Sequence, residues 1–187
     1  METSYIALLR SINVGGKNII KMEQLKQAFV DMGFSDVKTY IQSGNVIFKT
    51  QESDTLDLMK RVEEQLQKTF SAEIKTLILT VDELAETIEN APGNFGAEPE
   101  KFRYDVWFLL PPTTVNDIVS KVRLCEGVDF LQTGKNAVYT SRLTSQMGRS
   151  YFSKIIQMPF YKNITIRNWN TTTKLLDLAN NIEMTIK

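Results

Sequence analysis

Val-Lys-Thr-Tyr-Ile-Gln-Ser-Gly-Asn-Val-Ile-Phe, residues 37–48, is the stretch that decides the predicted fold. Residues 37–41 and 46–48 are rich in the β-branched, aromatic and other apolar side chains that strands favour. Between these runs, Ser43, Gly44 and Asn45 make a short polar turn in which glycine accepts a positive φ angle. The stretch therefore predicts a β-hairpin.

Helix patterns lie on both sides of this hairpin. Before it, apolar residues recur at helical spacing, namely Met22, Leu25, Phe29 and Met32. Gly33 then supplies a helix C-terminus, and residues 54–70 form a second amphipathic helix. Strands are predicted at residues 4–9 and 74–79. The order strand, helix, strand, strand, helix, strand is the split βαβ or ferredoxin-like arrangement, in which helices cover one face of an antiparallel sheet.

A second copy of this order is predicted further along the chain. Its elements are strand 104–110, helix 114–124, hairpin 130–132 with 137–140, helix 150–157 and strand 163–166. Tyr40-Ile41-Gln42-Ser43-Gly44 resembles Phe130-Leu131-Gln132-Thr133-Gly134, which suggests internal duplication, although turn chemistry alone also favours Ser/Thr-Gly. A terminal helix at 171–186 is expected to be capped by Asn170 or Thr171.

The predicted fold class is α+β, with two ferredoxin-like units and antiparallel sheets. We expect a first unit at residues 1–80, a connecting helix and loop at 81–102, and a second unit with the C-terminal helix at 103–187.

Composition excludes several classes of chemistry. The 187 residues are 42% hydrophobic and 24% charged, as in ordinary globular proteins. One cysteine, Cys125, and no histidine exclude an internal disulfide, the usual Cys/His zinc sites and Ser/His/Asp catalysis. We therefore expect no metal and no cofactor, and the sequence assigns no catalytic reaction. Without a signal peptide or membrane-span pattern, we expect a cytoplasmic protein with no membrane partner.

Positive charge is concentrated in one stretch. The chain has 22 basic and 22 acidic residues, but residues 130–176 contain no aspartate or glutamate. The basic residues there are Lys135, Arg142, Arg149, Lys154, Lys162, Arg167 and Lys174. Aromatic residues alternate with them, a mixture that single-stranded nucleic acid binders use. The alternative is that the aromatic side chains fill a second core, while the cations face the acidic half of the molecule or a partner.

Three segments resemble a known family. They are residues 5–16, which read YIALLRSINVGG, residues 39–46, which read TYIQSGNV, and residues 165–173, which contain Arg167-Asn168-Trp169-Asn170-Thr171. They are similar to the bacterial family catalogued as domain of unknown function 1697. Ser11 departs from the family pattern, which usually has glycine there. The resemblance implies a two-part ferredoxin-like fold and no established activity.

Candidate binding residues fall in three segments, to which Arg10 and Arg142 are added. The loop at residues 13–18 follows a strand and precedes a helix, where backbone N–H groups and a lysine could hold a phosphate. The spacing of a Walker motif is absent, and an ordinary glycine turn is the alternative. The hairpin turn could present an amide and a hydroxyl to a ligand, or its residues could serve the turn geometry alone. The Arg-Asn-Trp-Asn corner could bind an anion and stack on a base, or it could anchor the core. The candidates are Arg10, Asn13, Gly15, Gly16, Lys17, Gln42, Ser43, Asn45, Arg142, Arg167, Asn168, Trp169 and Asn170.

Two functions remain open at this point. The first is binding of a phosphate-bearing small molecule, such as a nucleotide, or of a short nucleic acid, through a basic and aromatic C-terminal surface. The second is a protein-interaction or self-association module, which would give a partner complex or a homo-oligomer without a small-molecule ligand.

Overall fold

A computed structural model describes residues 2–14 and 19–184. Tertiary contacts divide the described chain into two units. The first contains the described residues up to Leu84 together with the C-terminal part of the last helix from Lys174, and the second is Ala85–Thr173. Within the described ranges, no helix combines the length and apolar character that crossing a bilayer requires.

The first unit has the predicted order of elements. They are β1 (Thr3–Leu9), α1 (Met22–Asp31), β2 (Ser35–Tyr40), β3 (Asn45–Thr50), α2 (Thr55–Phe70) and β4 (Thr76–Thr80). The four strands form one antiparallel sheet in the order β2-β3-β1-β4. This is the strand order of a split βαβ unit, so the predicted fold class is confirmed here.

Local sequence signals explain where the helices of the first unit begin and end. The Asp54 carboxylate accepts hydrogen bonds from the backbone N–H groups of Leu56 and Asp57 and so caps α2. Gly33 has a φ of +82°, and its N–H donates to Val30 O just after α1. Phe29 and Phe48 are fully buried and pack edge to face, which joins α1 to the sheet.

The second unit repeats this topology. Helix α3 (Val81–Glu89) leads into it, and its further elements are β5 (Phe102–Leu109), α4 (Val115–Val119), β6 (Asp129–Thr133), β7 (Ala137–Leu143) and β8 (Ile164–Asn168). The sheet is antiparallel in the order β6-β7-β5-β8. Two sheets with the same strand order confirm the fold class and are consistent with internal duplication.

Both helices of the second unit differ from the prediction. Helix α4 begins with a capping box between Thr114 and Asp117 but ends at Val119, before the predicted end at residue 124. The helix predicted at 150–157 is replaced by three 3₁₀ helices, Thr144–Arg149, Tyr151–Gln157 and Pro159–Asn163. We call residues 144–163 the 3₁₀ segment. The Ser150 hydroxyl caps its second helix, and Pro159 cannot continue the preceding hydrogen-bond ladder.

The two similar pentapeptides do not occupy equivalent positions. Tyr40 is the last residue of β2, pairs with Asn45, and is followed by the turn. Phe130, in contrast, lies inside β6, whose last residue is Thr133, paired with Val138. The repeated strand order, and not this short likeness, therefore carries the case for duplication.

The last helix, α5 (Trp169–Met184), begins in the second unit and belongs to the first unit from Lys174 onward. Leu175, Ala179 and Ile182 are buried along one side of it. The ammonium of buried Lys49 lies 3.0 Å from Asp36 Oδ2 and donates to Ile182 O at 3.3 Å. Whereas the predicted unit 103–187 contained the whole helix, the contacts divide it at residue 174.

Candidate functional site

In the first unit, Asn13 is held by three hydrogen bonds. Its Nδ2 donates to Ile20 O at 3.0 Å and to Gln42 O at 2.9 Å, while its Oδ1 accepts from the Ile20 N–H at 2.8 Å. The side chain thus ties the segment after β1 both to the start of α1 and to the hairpin turn. The Asn13 side-chain amide therefore makes its hydrogen bonds within the fold. The other members of the predicted phosphate loop, Gly15, Gly16 and Lys17, lie outside the described residues.

The hairpin turn is shaped by buried Asn45 and by Gly44. Asn45 Nδ2 donates to Tyr40 O and to Ser43 Oγ, both at 3.0 Å. Gly44 has a φ of +72°, and a Cβ there would lie 2.8 Å from Ile12 Cδ1. These contacts favour the structural interpretation of Ser43 and Asn45 as turn residues.

The structure places the described first-unit candidates at one end of the sheet. Arg10 follows β1 directly and its N–H donates to Lys75 O at 2.8 Å, and Gln42 has an exposed side chain in the turn. Three exposed aliphatic residues lie next to the residues that Asn13 joins, namely Val14, Ile19 and Ile41. This end of the sheet therefore carries apolar as well as polar surface, which the sequence analysis missed because the three residues come from separate segments.

In the second unit, Arg167 is buried, with 6% of the residue exposed. Its Nη1 donates to Thr165 Oγ1 and to Ile166 O, both at 2.9 Å. Burial lowers the pKa of the guanidinium to about 10, so it still carries its charge at neutral pH. Because Val106, Trp107 and Phe108 are all buried, both faces of β5 are covered, and Arg167 pairs with this strand through Val106. Arg167 thus belongs to the interior.

The remaining corner residues also make contacts within the fold. Asn168 Nδ2 donates to Tyr104 O and its Oδ1 accepts from the Asn170 N–H, both at 3.0 Å, so Asn168 caps α5 and the expected cap at Asn170 or Thr171 is wrong. The Trp169 ring packs edge to face on Phe95 at 5.0 Å. A Cβ on Gly96 would lie 2.4 Å from Trp169 Cδ1 and Nε1. Of the four corner residues at 167–170, Asn170 alone is exposed.

Arg142 belongs to a polar cluster between β5, β6 and β7. Its Nη2 lies 3.7 Å from Asp105 Oδ2, which also accepts from Arg103 Nε at 3.0 Å. Its Nη1 donates to Ser153 Oγ at 3.5 Å, and its buried Nε has no hydrogen-bond partner among the described residues. Burial lowers the pKa of Arg142. The guanidinium is thus already engaged by an acid of the same unit.

A second buried carboxylate, Asp129, positions the 3₁₀ segment. Its oxygens accept hydrogen bonds from the Ser150 hydroxyl, from the Tyr151 N–H at 2.8 Å and from the Cys125 N–H at 3.0 Å. One side chain on β6 therefore joins the strand to the loop that precedes it and to the 3₁₀ segment. Sequence reasoning missed Asp129 because its partners are identified by the fold and not by a motif.

The cations of residues 130–176 do not form one surface. Lys135 pairs with Glu86 at 2.9 Å, Arg142 with Asp105, and Arg167 is buried. The exposed ones are Arg149, Lys154, Lys162 and Lys174, together with the paired Lys135. Three aromatic residues of the stretch, Tyr139, Phe152 and Phe160, are buried, whereas Phe130 and Tyr151 are each 44% exposed. The 3₁₀ segment combines exposed cations with exposed apolar side chains.

A small cleft opens beside the 3₁₀ segment, and we call it the Trp107 cleft. It is lined by Trp107, Val122, Arg123, Tyr151, Phe152, Ile155, Met158 and Phe160. Trp107, Phe152 and Phe160 belong to the core of the second unit, so the cleft reaches that core. Next to lining residues in the chain, Leu124 is 46% and Ile156 is 66% exposed. Within the described part of the chain, no three carboxylate or thiol groups are placed to hold a metal ion.

Residues 1–139 match the family described as "Protein of unknown function (DUF1697)". The chain belongs to the DUF1697 family. A solved structure, that of conserved bacterial protein SP0830 from Streptococcus pneumoniae, is similar to this DUF1697 protein, with a TM-score of 0.84 and 27% identity over 96% of this chain and 99% of that chain. No curated protein matches the chain. The comparisons thus confirm the family resemblance and the fold, and they assign no ligand to the DUF1697 protein.

Proposed function

We propose that the protein is a protein-interaction module whose second unit binds a partner through the Trp107 cleft and the exposed apolar residues beside it. The observation that carries the proposal is the exposure of Tyr151, Ile156 and Leu124 on the two segments that line the cleft. Single exposed apolar residues are common, but several of them around a cleft that reaches the core are typical of docking surfaces. A cytoplasmic location fits this role.

Binding of a phosphate-bearing ligand is the second candidate. What favours it is the 3₁₀ segment, which contains Arg149, Lys154 and Lys162 and no acidic residue. Within the first unit, Arg10 and Gln42 are polar groups at one end of the sheet. Arg142 and Arg167, however, are engaged within the second unit, which leaves few converging donors for a phosphate.

Photo-crosslinking separates the two candidates. A photoreactive amino acid replaces Ile156 in the full chain, and a matched protein carries it at Leu56, which is 52% exposed in the first unit. We expect one protein adduct at position 156, mapped to one segment of the partner, saturable and weakened by Tyr151→Ala, and no such adduct at position 56. Equal labelling at both positions, or adducts to nucleic acid alone, would refute the interaction module and favour the phosphate ligand.

A further inference from the structure

This inference rests on the proposed function and concerns the kind of partner that the Trp107 cleft binds. We infer that the cleft binds a short acidic amphipathic segment of another protein, with apolar side chains packing over the cleft and carboxylates meeting the exposed Arg123 and Lys154. The inference rests on the lining of the cleft, on the charges near it and on its small size.

The lining selects an apolar side chain. The buried rings of Trp107 and Phe152 are joined in the lining by the aliphatic Val122 and Ile155 and by Met158. An aliphatic or aromatic side chain loses water favourably against such a surface, at about 25 cal/mol per Å² of apolar area. The flexible thioether of Met158 can adapt to different shapes. A phosphate would instead need converging N–H donors, which this lining does not provide beyond Arg123.

Two cations lie in the segments that line the cleft. Arg123 belongs to the lining, and Lys154 directly precedes the lining residue Ile155 in the chain. Both side chains are exposed, and neither forms an ion pair within 4.0 Å among the described residues. The 3₁₀ segment contains no acid to compensate Lys154, and the carboxylate of Asp129 is already occupied by three donors. Complementary charge on a partner must therefore be negative.

The small size of the cleft limits the partner to a short segment. The empty space of the cleft, including its opening to solvent, is about 190 Å³, and the wall formed by Tyr151–Gln157 is kinked at Lys154. One or two apolar side chains with acidic neighbours on either side would cover it.

A displayed library of random 12-residue peptides, selected on the full chain at low salt, tests the inference. We expect the enriched peptides to contain apolar residues flanked by aspartate or glutamate. Their affinity, measured by fluorescence anisotropy, should fall about ten-fold or more in the Arg123→Glu, Lys154→Glu double variant and several-fold at high salt. Lys26→Glu, at an exposed lysine on α1, is the matched control and should leave affinity unchanged. Because all three substituted residues are exposed, the variants should remain folded, which thermal unfolding checks.

Other results would overturn the inference and show whether the proposed function fails with it. Neutral apolar peptides that bind equally well to the double variant would refute the acidic partner and leave the interaction module standing. Concentration-dependent dimerisation that Ile156→Asp abolishes would identify a second copy of this chain as the occupant, again refuting only the inference. If no peptide binds but a 12-nucleotide single strand does, both the inference and the interaction module are wrong.

Discussion

Replacing Asp129 by asparagine should loosen the 3₁₀ segment, although no residue that lines the Trp107 cleft is itself substituted. The carboxylate accepts from the Ser150 hydroxyl and from the N–H groups of Tyr151 and Cys125. A hydrogen bond to a charged group contributes about 1.5–3 kcal/mol. Asparagine keeps one acceptor oxygen and turns an NH₂ group toward at least one of these donors. Losing one or two of the three bonds should lower the free energy of unfolding by about 2–4 kcal/mol.

Urea unfolding followed by circular dichroism measures this loss, and amide hydrogen exchange reports the two N–H groups directly. We expect faster exchange at Cys125 and Tyr151 in Asp129→Asn, and no change in Asp177→Asn, a matched control at an exposed aspartate on α5. Peptide binding to the cleft should weaken together with the exchange protection. Unchanged exchange at both amides, or a loss below about 0.5 kcal/mol, would show that Asp129 does not hold the segment.

Three further predictions test other contacts. Gly96→Ala should destabilise by about 2–4 kcal/mol, because Gly96 has a φ of +88° and a Cβ would lie 2.4 Å from the Trp169 ring; Gly93→Ala, where a Cβ meets nothing within 4 Å, should be nearly neutral in the same urea assay. Lys49→Met should remove the bond to Ile182 O, lower stability by about 1–2 kcal/mol and speed limited proteolysis within α5, whereas Lys68→Met at an exposed site should not. Burial and the charge of Glu86 raise the pKa of Tyr139 to about 12, above its unfolded value of about 10. The contribution of Tyr139 to stability is therefore present below pH 10 and is lost as the pH rises toward 12. Urea titrations at several pH values should show a shallower decline of the unfolding free energy in Tyr139→Phe, and an equally steep decline would contradict the assignment.

Much of the first unit could be predicted because its signals are local. Asp54 and Gly33 mark helix ends through bonds to residues two to four positions away, and the turn around Gly44 is set by its neighbours. The second unit gave weaker signals. Residues 150–157 have a helical apolar pattern, but Ser150 and Pro159 at its ends favour short 3₁₀ turns. In both units, the order of helices and strands along the chain is that of a split βαβ unit, and this order implies the order of the strands in the sheet.

The candidate sites were harder to predict because burial depends on distant residues. The sequence leaves both anion binding and core anchoring open for the corner that contains Arg167, because nothing in its neighbourhood in the sequence signals that both faces of β5 are covered. Likewise, Trp169 packs on Phe95 and Gly96, which belong to a loop far away in the chain. Asp105 and Asp129 act through partners on other strands and on the 3₁₀ segment. Such contacts between remote positions have no motif that a single sequence displays.

The path of α5 has a consequence for how the chain matures. Residues from Lys174 complete the first unit, although they follow the whole second unit in the sequence. During synthesis on the ribosome, Lys49 of the amino-terminal sheet therefore gains its carbonyl partner on Ile182 only after the final helix has been made. A nascent chain stalled before residue 174 emerges would hold an amino-terminal half without its last helical turns and a second half whose sequence is already complete.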